Sequence, residues 1–387
     1  MNYSRVASVE VSQVGLDFAV ARDLPAAVLK NVVAKALDSG VDFFSSLQPA
    51  ETSMLGEALA RLGARKRAVV TAGIPRFFAA YAGHPMSADE FLEHELSDRL
   101  SRLESNFVDC FTIDIGQGRG VDFEAVLKEP IPSGGHPPGA PATYEGGVFL
   151  HETLFDCLDV LSRFKKEGRI RLAGVSGENI AILKRILAKQ RGFDVAFAPY
   201  NYGFRAAADE LISIAAEVGT SFVATHPLWW GIREIPVTVL TESPFPRDRA
   251  AVRAPAAALS TAACKWPLAE KAVASVLAAV QSEALVEAVA AASGDSPWTK
   301  ADEEFLRPVL DVATAHKGLF LILSAMNSAD ADVRARGWAA YVRRGLPDLG
   351  YDPAEPEAKR VEILERIARE VVAGEPVARE ANIEELL

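Results

Sequence analysis

Residues 164–176 read FKKEGRIRLAGVS, a complete passage from the end of a helix into a buried strand. Apolar residues at helical spacing precede it over Phe155–Lys166, which predicts an amphipathic helix there. Gly168 follows that helix, at the position where a left-handed residue commonly ends one. The run Arg171–Ser176 is short and largely apolar, so it predicts a strand. One helix-to-strand unit can therefore be identified from its chemistry.

The same unit recurs along the chain. Strands are predicted at Ala68–Ala72, Val108–Ile113, Arg171–Ser176, Asp194–Ala198 and Ser221–Thr225. Helices are predicted at Leu29–Ser39, Met54–Leu62, Ala88–Leu103, Phe155–Lys166 and Ala206–Val218. Strands that alternate with helices indicate a parallel sheet, and so many repeats favour a (β/α)₈ barrel over an open doubly wound sheet. No Gly-x-Gly-x-x-Gly follows the first strand, which weakens the dinucleotide-fold alternative.

Composition excludes several classes of protein. The chain has 41 basic and 52 acidic residues and a net charge of −11, so it lacks the basic balance that nucleic-acid binding needs. No apolar run reaches the roughly 18 residues of a membrane span, and no apolar segment follows Met1–Arg5 as in a signal peptide. Cys110, Cys157 and Cys264 have neither metal-ligand nor disulfide spacing, so we expect a reduced, cytoplasmic protein without membrane or nucleic-acid partners.

Six segments occur in the order and at the spacing of one known family. They are Val11–Leu16, Ala36–Phe44, Leu55–Leu59, Phe164–Ser176, Pro199–Tyr202 and Pro227–Leu228. Through them the chain resembles the aldo-keto reductases, which implies an α/β fold, the (β/α)₈ TIM barrel of that family. The resemblance ends near Gly294, so we predict a barrel over residues 1–294 and a C-terminal helical extension over residues 295–387.

The resemblance also implies a catalytic tetrad of Asp, Tyr, Lys and His, in which the Tyr protonates a carbonyl that NADPH reduces. Ser45 stands where the Asp is expected, Gly73 where the Lys is, and Asp114 where the His is. Residues 47–52, where the Tyr is expected, contain none. General acid catalysis contributes about 10²–10⁴-fold, and a cation beside the developing alkoxide contributes a similar amount. We therefore predict that the chain is not a working NADPH carbonyl reductase.

The residues that the resemblance implies for cofactor binding are also replaced. Gly177 and Phe197 stand at the positions that hold the nicotinamide amide. Ala279 stands for the glycine of the phosphate loop and Ala288 for an asparagine of the next helix, and the basic residue of that loop is missing. A methyl group at Ala279 would hinder close approach of the backbone to a phosphate. We therefore expect no cofactor and regard NADPH binding as doubtful.

The candidate site lies at the barrel mouth, meaning the C-terminal ends of the strands, where active sites of such barrels lie. The polar residues predicted there are Asp17, Ser45, Ser46, Asp114, Ser176 and His226. Asp114 and His226 form a candidate acid–base pair, since a carboxylate can hold an imidazole in one tautomer and adjust its pKa. Asp17 and Ser45 complete the candidate catalytic set. The ordinary alternatives are strand-end carboxylates and a histidine that hydrogen-bonds a loop.

Two other kinds of site find less support at the mouth. No Gly-x-Ser-x-Gly turn surrounds Ser45, Ser46 or Ser176, which argues against a serine hydrolase. Asp17, Asp114 and His226 have no local ligand spacing, so no metal is expected.

Two segments have no counterpart in the repeating units. Residues 116–151 are dense in Pro and Gly and predict an irregular insert, which as a loop at the mouth could cover the site, and Trp229–Trp230 could line the same mouth. The extension predicts helices at Asp302–His316, Asp330–Arg344 and Pro356–Val372. The extension contains no Cys that could ligate an iron–sulfur cluster. We expect its helices to pack against the outside of the barrel or to contact a protein partner or a second copy of the chain.

Three hypotheses on function remain open. The chain could be a divergent enzyme that binds a small molecule and uses Asp114 and His226 in non-reductive acid–base chemistry. It could be a pseudoenzyme that serves as a binding or partner subunit. It could be a residual NADPH-dependent oxidoreductase with substitute groups. The barrel does not choose among them, because a fold does not fix a function.

Overall fold

The structure is a computed structural model of the 387-residue chain. It describes residues 1–19, 24–81, 86–115, 148–189, 191–202, 205–208, 210–227, 256–279, 282–294 and 297–304. Beyond these it describes residues 306–307, 322–323, 326, 331–343, 345–346, 348–356, 359–360, 362–364 and 366–367. Residues 116–147 of the predicted insert and the Trp229–Trp230 pair lie outside the described residues.

Eight parallel strands close into a barrel. After an N-terminal hairpin of β1 (Tyr3–Val6) and β2 (Val9–Ser12) come β3 (Val14–Asp17), β4 (Phe43–Ser46), β5 (Val69–Ile74), β6 (Val108–Asp114), β7 (Ile170–Ser176), β8 (Val195–Pro199), β9 (Ser221–Thr225) and β10 (Val273–Ala279). Each barrel strand pairs with the next, and β10 pairs with β3 to close the ring. The predicted (β/α)₈ barrel is confirmed.

Helices separate the strands. They are α1 (Ala26–Asp38), α2 (Pro49–Leu62), α3 (Phe77–Tyr81), α4 (Ala88–Arg102), α5 (Val148–Lys166), α6 (Ile180–Lys189), α7 (Leu211–Val218), α8 (Ala256–Leu268), α9 (Glu283–Ala290) and α10 (Ala331–Arg343). Helices α1 and α2 begin three and five residues before their predicted starts, Leu29 and Met54. Two further segments differ from the predictions. Helix α5 begins at Val148, so the last four residues of the predicted insert are helical. The predicted helix Ala206–Val218 is a 3₁₀ turn at Ala206–Ala208 followed by α7, because Glu210 has a φ of +75°.

Local chemistry fixes where the helices begin and end. Gln48 and Glu51 form a capping box at the start of α2, and Ser87 and Glu90 form another at the start of α4. Gly63 ends α2 in the left-handed conformation with a φ of +58°, which glycine adopts without steric cost. The ends of α2 and α4 thus determine where β5 and β6 begin, close to their predicted starts.

The N-terminal hairpin closes the end of the barrel opposite the mouth. Val6, Val9 and Val11 of the hairpin pack in one buried cluster with barrel residues, namely Phe43, Cys110, Leu172, Val195, Phe197, Val223 and Leu277. The predicted opening strand Val11–Leu16 is therefore two strands that part at Gln13, whose backbone N–H donates to the carbonyl of Asn2. Apolar periodicity did not separate them because both are buried.

A buried carboxylate ties the outer side of three strands together. Asp109 in β6 accepts hydrogen bonds from Arg65 (3.2 Å), from the backbone N–H of Val70 (2.9 Å) and from Arg171 (2.9 Å). Its side chain is 2% exposed, so this charge is compensated almost entirely by protein groups. Burial of the Arg65 guanidinium group lowers its own pKa.

The chain divides into two compact units. The first comprises residues 1–201, 205–227 and 264–297, and the second comprises residues 202–204, 228–263 and 298–387. In the second unit, Trp338 of α10 stacks on Tyr341 with ring centroids 5.4 Å apart and contacts Tyr351 at 5.3 Å. Helix α10 confirms the predicted helix Asp330–Arg344. The boundary at residue 294 stays a prediction. Among the described residues, no helix is long and apolar enough to cross a membrane.

Candidate functional site

The predicted site residues lie at the C-terminal ends of four barrel strands. Asp17 is the last residue of β3, Ser45 is next to last in β4, Asp114 ends β6, and His226 follows β9 directly. Side chains along a strand point alternately to its two faces. Phe43 belongs to the cluster inside the barrel, so Ser45 also faces inward, whereas Ser46 faces the surrounding helices.

Asp17 and Ser45 are brought together by the register of β3 and β4, in which they are direct partners. Asp17 Oδ1 accepts a hydrogen bond of 3.0 Å from the backbone N–H of Ala19, which fixes the carboxylate at the strand end. Ser45 is 4% exposed. Among the described residues, no hydrogen bond involves its hydroxyl group.

Two donors in the described part of the chain hold Asp114. Ser176, its partner across β6 and β7, donates from Oγ to Asp114 Oδ1 at 2.9 Å. The backbone N–H of Arg76 donates to Asp114 Oδ2 at 3.0 Å. Both hydrogen bonds favour the ionised carboxylate. Arg76 has a φ of +49°, a backbone conformation that few residues other than glycine adopt without strain.

His226 is held by its backbone in a similarly unusual conformation. Its φ is +55°, and its carbonyl accepts a hydrogen bond of 2.9 Å from Asn201 Nδ2. Burial lowers the pKa of the imidazole to about 4, so the ring is neutral at neutral pH. Strands β7 and β8 separate β6 from β9 in the barrel, and among the described residues no hydrogen bond joins Asp114 to His226. Their acid–base pairing stays a prediction.

Gly73, at the position where the family resemblance places a lysine, has no room for a side chain. A Cβ atom there would lie 2.1 Å from the carbonyl oxygen of Thr112, its partner on β6, and 3.0 Å from Thr112 Cβ. The carbonyl of Gly73 also accepts a 3.1 Å hydrogen bond from Nε of Arg99, a fully buried residue of α4. Close packing of β5 against β6 thus leaves no space for a side chain at position 73.

The residues at the expected cofactor positions have other contacts. Phe197 is 4% exposed and packs in the cluster inside the barrel, and its carbonyl accepts a 3.2 Å hydrogen bond from the N–H of Gly177. Ser282 caps α9 by accepting a hydrogen bond from the N–H of Leu285 at 3.3 Å. Ala279 belongs to β10, where it pairs with Asp17, and not to a loop. Ala288 is 6% exposed.

Sequence reasoning missed two groups at the mouth. Arg76 supplies a backbone donor to Asp114, and Asn201 holds the backbone of His226. Both follow a strand end within two residues, so counting from the strand ends would have found them. Their roles come from backbone conformation and from a carbonyl contact, which no residue pattern indicates.

Metal ligation finds no support in the described part of the chain, where no group of three or more His, Cys, Asp or Glu side chains could hold an ion.

Cys110, Cys157 and Cys264 are buried thiols, and burial raises the pKa of Cys110 to about 12. Such thiols are poor nucleophiles because little thiolate forms.

Comparison with known proteins identifies the family. The profile of the aldo/keto reductase family matches residues 22–302. The holo form of aldo-keto reductase AKR11C1 from Bacillus halodurans is 19% identical and superposes with a TM-score of 0.55 over 79% of this chain and 95% of that chain. The apo form of the same protein is 17% identical with a TM-score of 0.51 and the same coverage. No curated protein matches the chain by sequence. The chain belongs to the aldo/keto reductase family.

Proposed function

We propose that this family member binds a small molecule at the mouth of its barrel and does not reduce it. The observation that carries the proposal is the crowding at Gly73, where a Cβ atom would lie 2.1 Å from a backbone oxygen. No lysine can be accommodated there without separating β5 from β6. A carbonyl that accepts hydride develops negative charge on oxygen, and a fixed cation beside that oxygen is a major source of rate.

Asp114 adds a second obstacle to reduction. Its carboxyl group is held at the mouth by Ser176 and by the Arg76 N–H, and an acidic residue there opposes the negative charge that hydride transfer would develop. Loss of a positioned acid costs about 10²–10⁴-fold in rate, and loss of the electrostatic partner costs a similar factor. Together these losses leave too little acceleration for efficient turnover.

Non-reductive acid–base catalysis was the first of the three hypotheses, and its two groups, Asp114 and His226, are poorly suited to it. A good general acid or base titrates near the working pH. Desolvation lowers the pKa of His226 to about 4, so the imidazole is neutral and weakly basic at neutral pH. The two donors to Asp114 stabilise its ionised form. Ligand binding needs neither group to change its charge.

We further propose that NADPH is not a bound cofactor of this protein. Phe197 occupies the barrel interior in place of an amide-binding residue, and its phenyl ring has no hydrogen-bonding group. Ser282 accepts from the Leu285 N–H at the start of α9 and so reduces by one the donors that a phosphate could use there. These residues do not fit the cofactor.

The test compares the purified chain with a catalytically active aldo-keto reductase. NADPH binding is followed by cofactor fluorescence, and turnover is followed by NADPH oxidation with a panel of aldehydes and ketones. We expect neither binding nor turnover from this chain under conditions in which the active enzyme gives both. Micromolar NADPH binding with carbonyl-dependent oxidation would refute the proposal.

Ligand binding itself is tested by saturation-transfer NMR against a library of small fragments. We expect binders whose signals weaken in Asp114→Asn, a variant that keeps the size of the side chain and removes its charge. Glu57→Gln makes the same chemical change at an exposed site on α2 and serves as the control. A library with no fragment sensitive to Asp114→Asn would remove the support for a binding site at the mouth.

A further inference from the structure

Going beyond the proposed function, we propose that the second compact unit of the chain binds a phosphate group through the guanidinium of Arg360. The candidate residues of the barrel mouth belong to the first unit, so the two proposals stand or fall separately. Arg360 lies in the C-terminal extension, where residues 359–360, 362–364 and 366–367 are helical. Its backbone N–H donates to the carbonyl of Pro356 at 3.1 Å.

The buried charge of Arg360 is the observation that points to an anion. The residue is 6% exposed, and a guanidinium stays protonated in proteins. Its Nη1 donates to the backbone carbonyl of Glu355, which is a neutral acceptor. Among the described residues, no carboxylate forms an ion pair with Arg360. A charge that is removed from water normally pairs with an opposite charge, and a bound anion would supply it here.

The remaining edge of the guanidinium has the geometry of an oxyanion site. In the described part of the chain, Arg360 Nε is enclosed and has no hydrogen-bond partner. Nη2 has no described partner either, and it is not among the fully enclosed atoms, so it reaches the surface. The Nε–H and one Nη2–H of a planar guanidinium point to the same side and together bind two oxygen atoms of one anion. An anion that approaches from the surface can use both donors.

The acidic side chains just before Arg360 make other contacts. Glu355, whose carbonyl Arg360 contacts, pairs its carboxylate with Lys359. Asp352 Oδ1 accepts a 2.8 Å hydrogen bond from the backbone N–H of Ala354 and so stabilises the turn before the helix. Neither carboxylate compensates the charge of Arg360.

A second guanidinium nearby favours a doubly charged anion. Arg334 of α10 donates from Nε to the carbonyl of Pro353 at 3.0 Å, two residues before the carbonyl that Arg360 contacts. Burial raises the pKa of Tyr351, whereas the charges of Arg360 and Arg334 act in the opposite direction, so both lie near the same phenol. A phosphate group carries about −1.5 to −2 charges at neutral pH, more than the single charge of a carboxylate. Phosphate therefore matches the two cations better.

The test titrates the full chain by isothermal calorimetry with inorganic phosphate, phenyl phosphate and acetate at neutral pH. Ionic strength is held constant, because salt screens exposed charges. We expect a phosphate to bind, as the free ion or as the ester, and acetate to bind at least about 10-fold more weakly. Arg360→Met removes the charge and should weaken phosphate binding at least about 10-fold. Arg360→Lys keeps the charge without the planar fork and should weaken it about 5-fold.

The matched control is Arg336→Met, which removes an exposed guanidinium from α10. We expect this variant to bind phosphate as the unmodified chain does. Phosphate should also raise the Tm of the unmodified chain and of Arg336→Met but not that of Arg360→Met, because a ligand stabilises only a chain that binds it.

Three results would each overturn the phosphate proposal. They are no binding of either phosphate, acetate binding as tight as phosphate binding, and equal losses in Arg360→Met and Arg336→Met. If Arg360→Met does not fold, Arg360→Lys decides, since weaker phosphate binding supports the site and unchanged binding refutes it.

Discussion

Gly73→Ala should destabilise the protein, although it adds a single methyl group. The added Cβ would lie 2.1 Å from the Thr112 carbonyl oxygen, 2.9 Å from its carbon and 3.0 Å from its Cβ. Two of these atoms are backbone of the paired strand β6, so a side-chain rotation cannot relieve the overlap. Strands β5 and β6 would have to separate at the mouth, where Asp114 and Ser176 lie.

The expected loss follows from the cost of overpacking a core. Inserting a methyl group into a filled site costs typically about 1–3 kcal/mol, and the overlap with two backbone atoms of Thr112 places this site near the upper end. A unit of this size loses about 2–4 °C in Tm per kcal/mol, so we expect Tm to fall by about 6–12 °C. Circular dichroism on heating measures the shift.

Gly294→Ala is the control for this prediction. Its φ of −89° suits any residue, and a Cβ would meet only the Ala291 carbonyl oxygen, at an ordinary 3.5 Å. We expect that variant to lie within about 0.5 kcal/mol of the unmodified chain. Equal stability of the two variants would refute the reasoning, and it would reopen the possibility that Gly73→Lys can place a cation at the mouth.

Two further predictions concern buried charge. Asp109→Asn should lower the free energy of unfolding in urea by about 3 kcal/mol, because it leaves Arg65 without its buried counter-ion. The control Glu57→Gln removes an exposed ion pair and should cost less than about 0.5 kcal/mol. Similar losses in the two variants would contradict the role given to Asp109. His226 is neutral in the folded chain down to about pH 4 but takes up a proton near pH 6.5 when unfolded, so stability should fall as pH falls through this window, by at most about 3 kcal/mol. His226→Asn, which tolerates the left-handed backbone, should lose this share of the pH dependence of Tm, and an unchanged profile would show that the imidazole is not buried.

Much of the fold was predictable because the signals are local. The passage from Phe164 to Ser176 holds a helix end, a glycine with a φ of +73° at Gly168, and a strand, and the structure confirms each. The C-terminal ends of strands form the mouth in any such barrel, so the location of Asp17, Ser45 and Asp114 could also be predicted.

Burial on both faces limited what periodicity could resolve. In Val11–Leu16 the apolar pattern runs without interruption through a change from hairpin to barrel strand. The break at Gln13 depends on its backbone bond to Asn2, a contact between a strand end and the chain terminus that residue types do not specify.

The sequence alone determined the family fold and the absence of a lysine at position 73, because residue identity and spacing are written in the chain. Tertiary structure decided what those identities mean. The proximity of Thr112 makes Gly73 unable to accept a side chain, and Ser176 with the Arg76 N–H holds the carboxyl group of Asp114 in place. Desolvation lowers the pKa of His226 to about 4. Steric room, hydrogen-bond partners and solvent exclusion arise only when distant segments meet, so no local pattern encodes them.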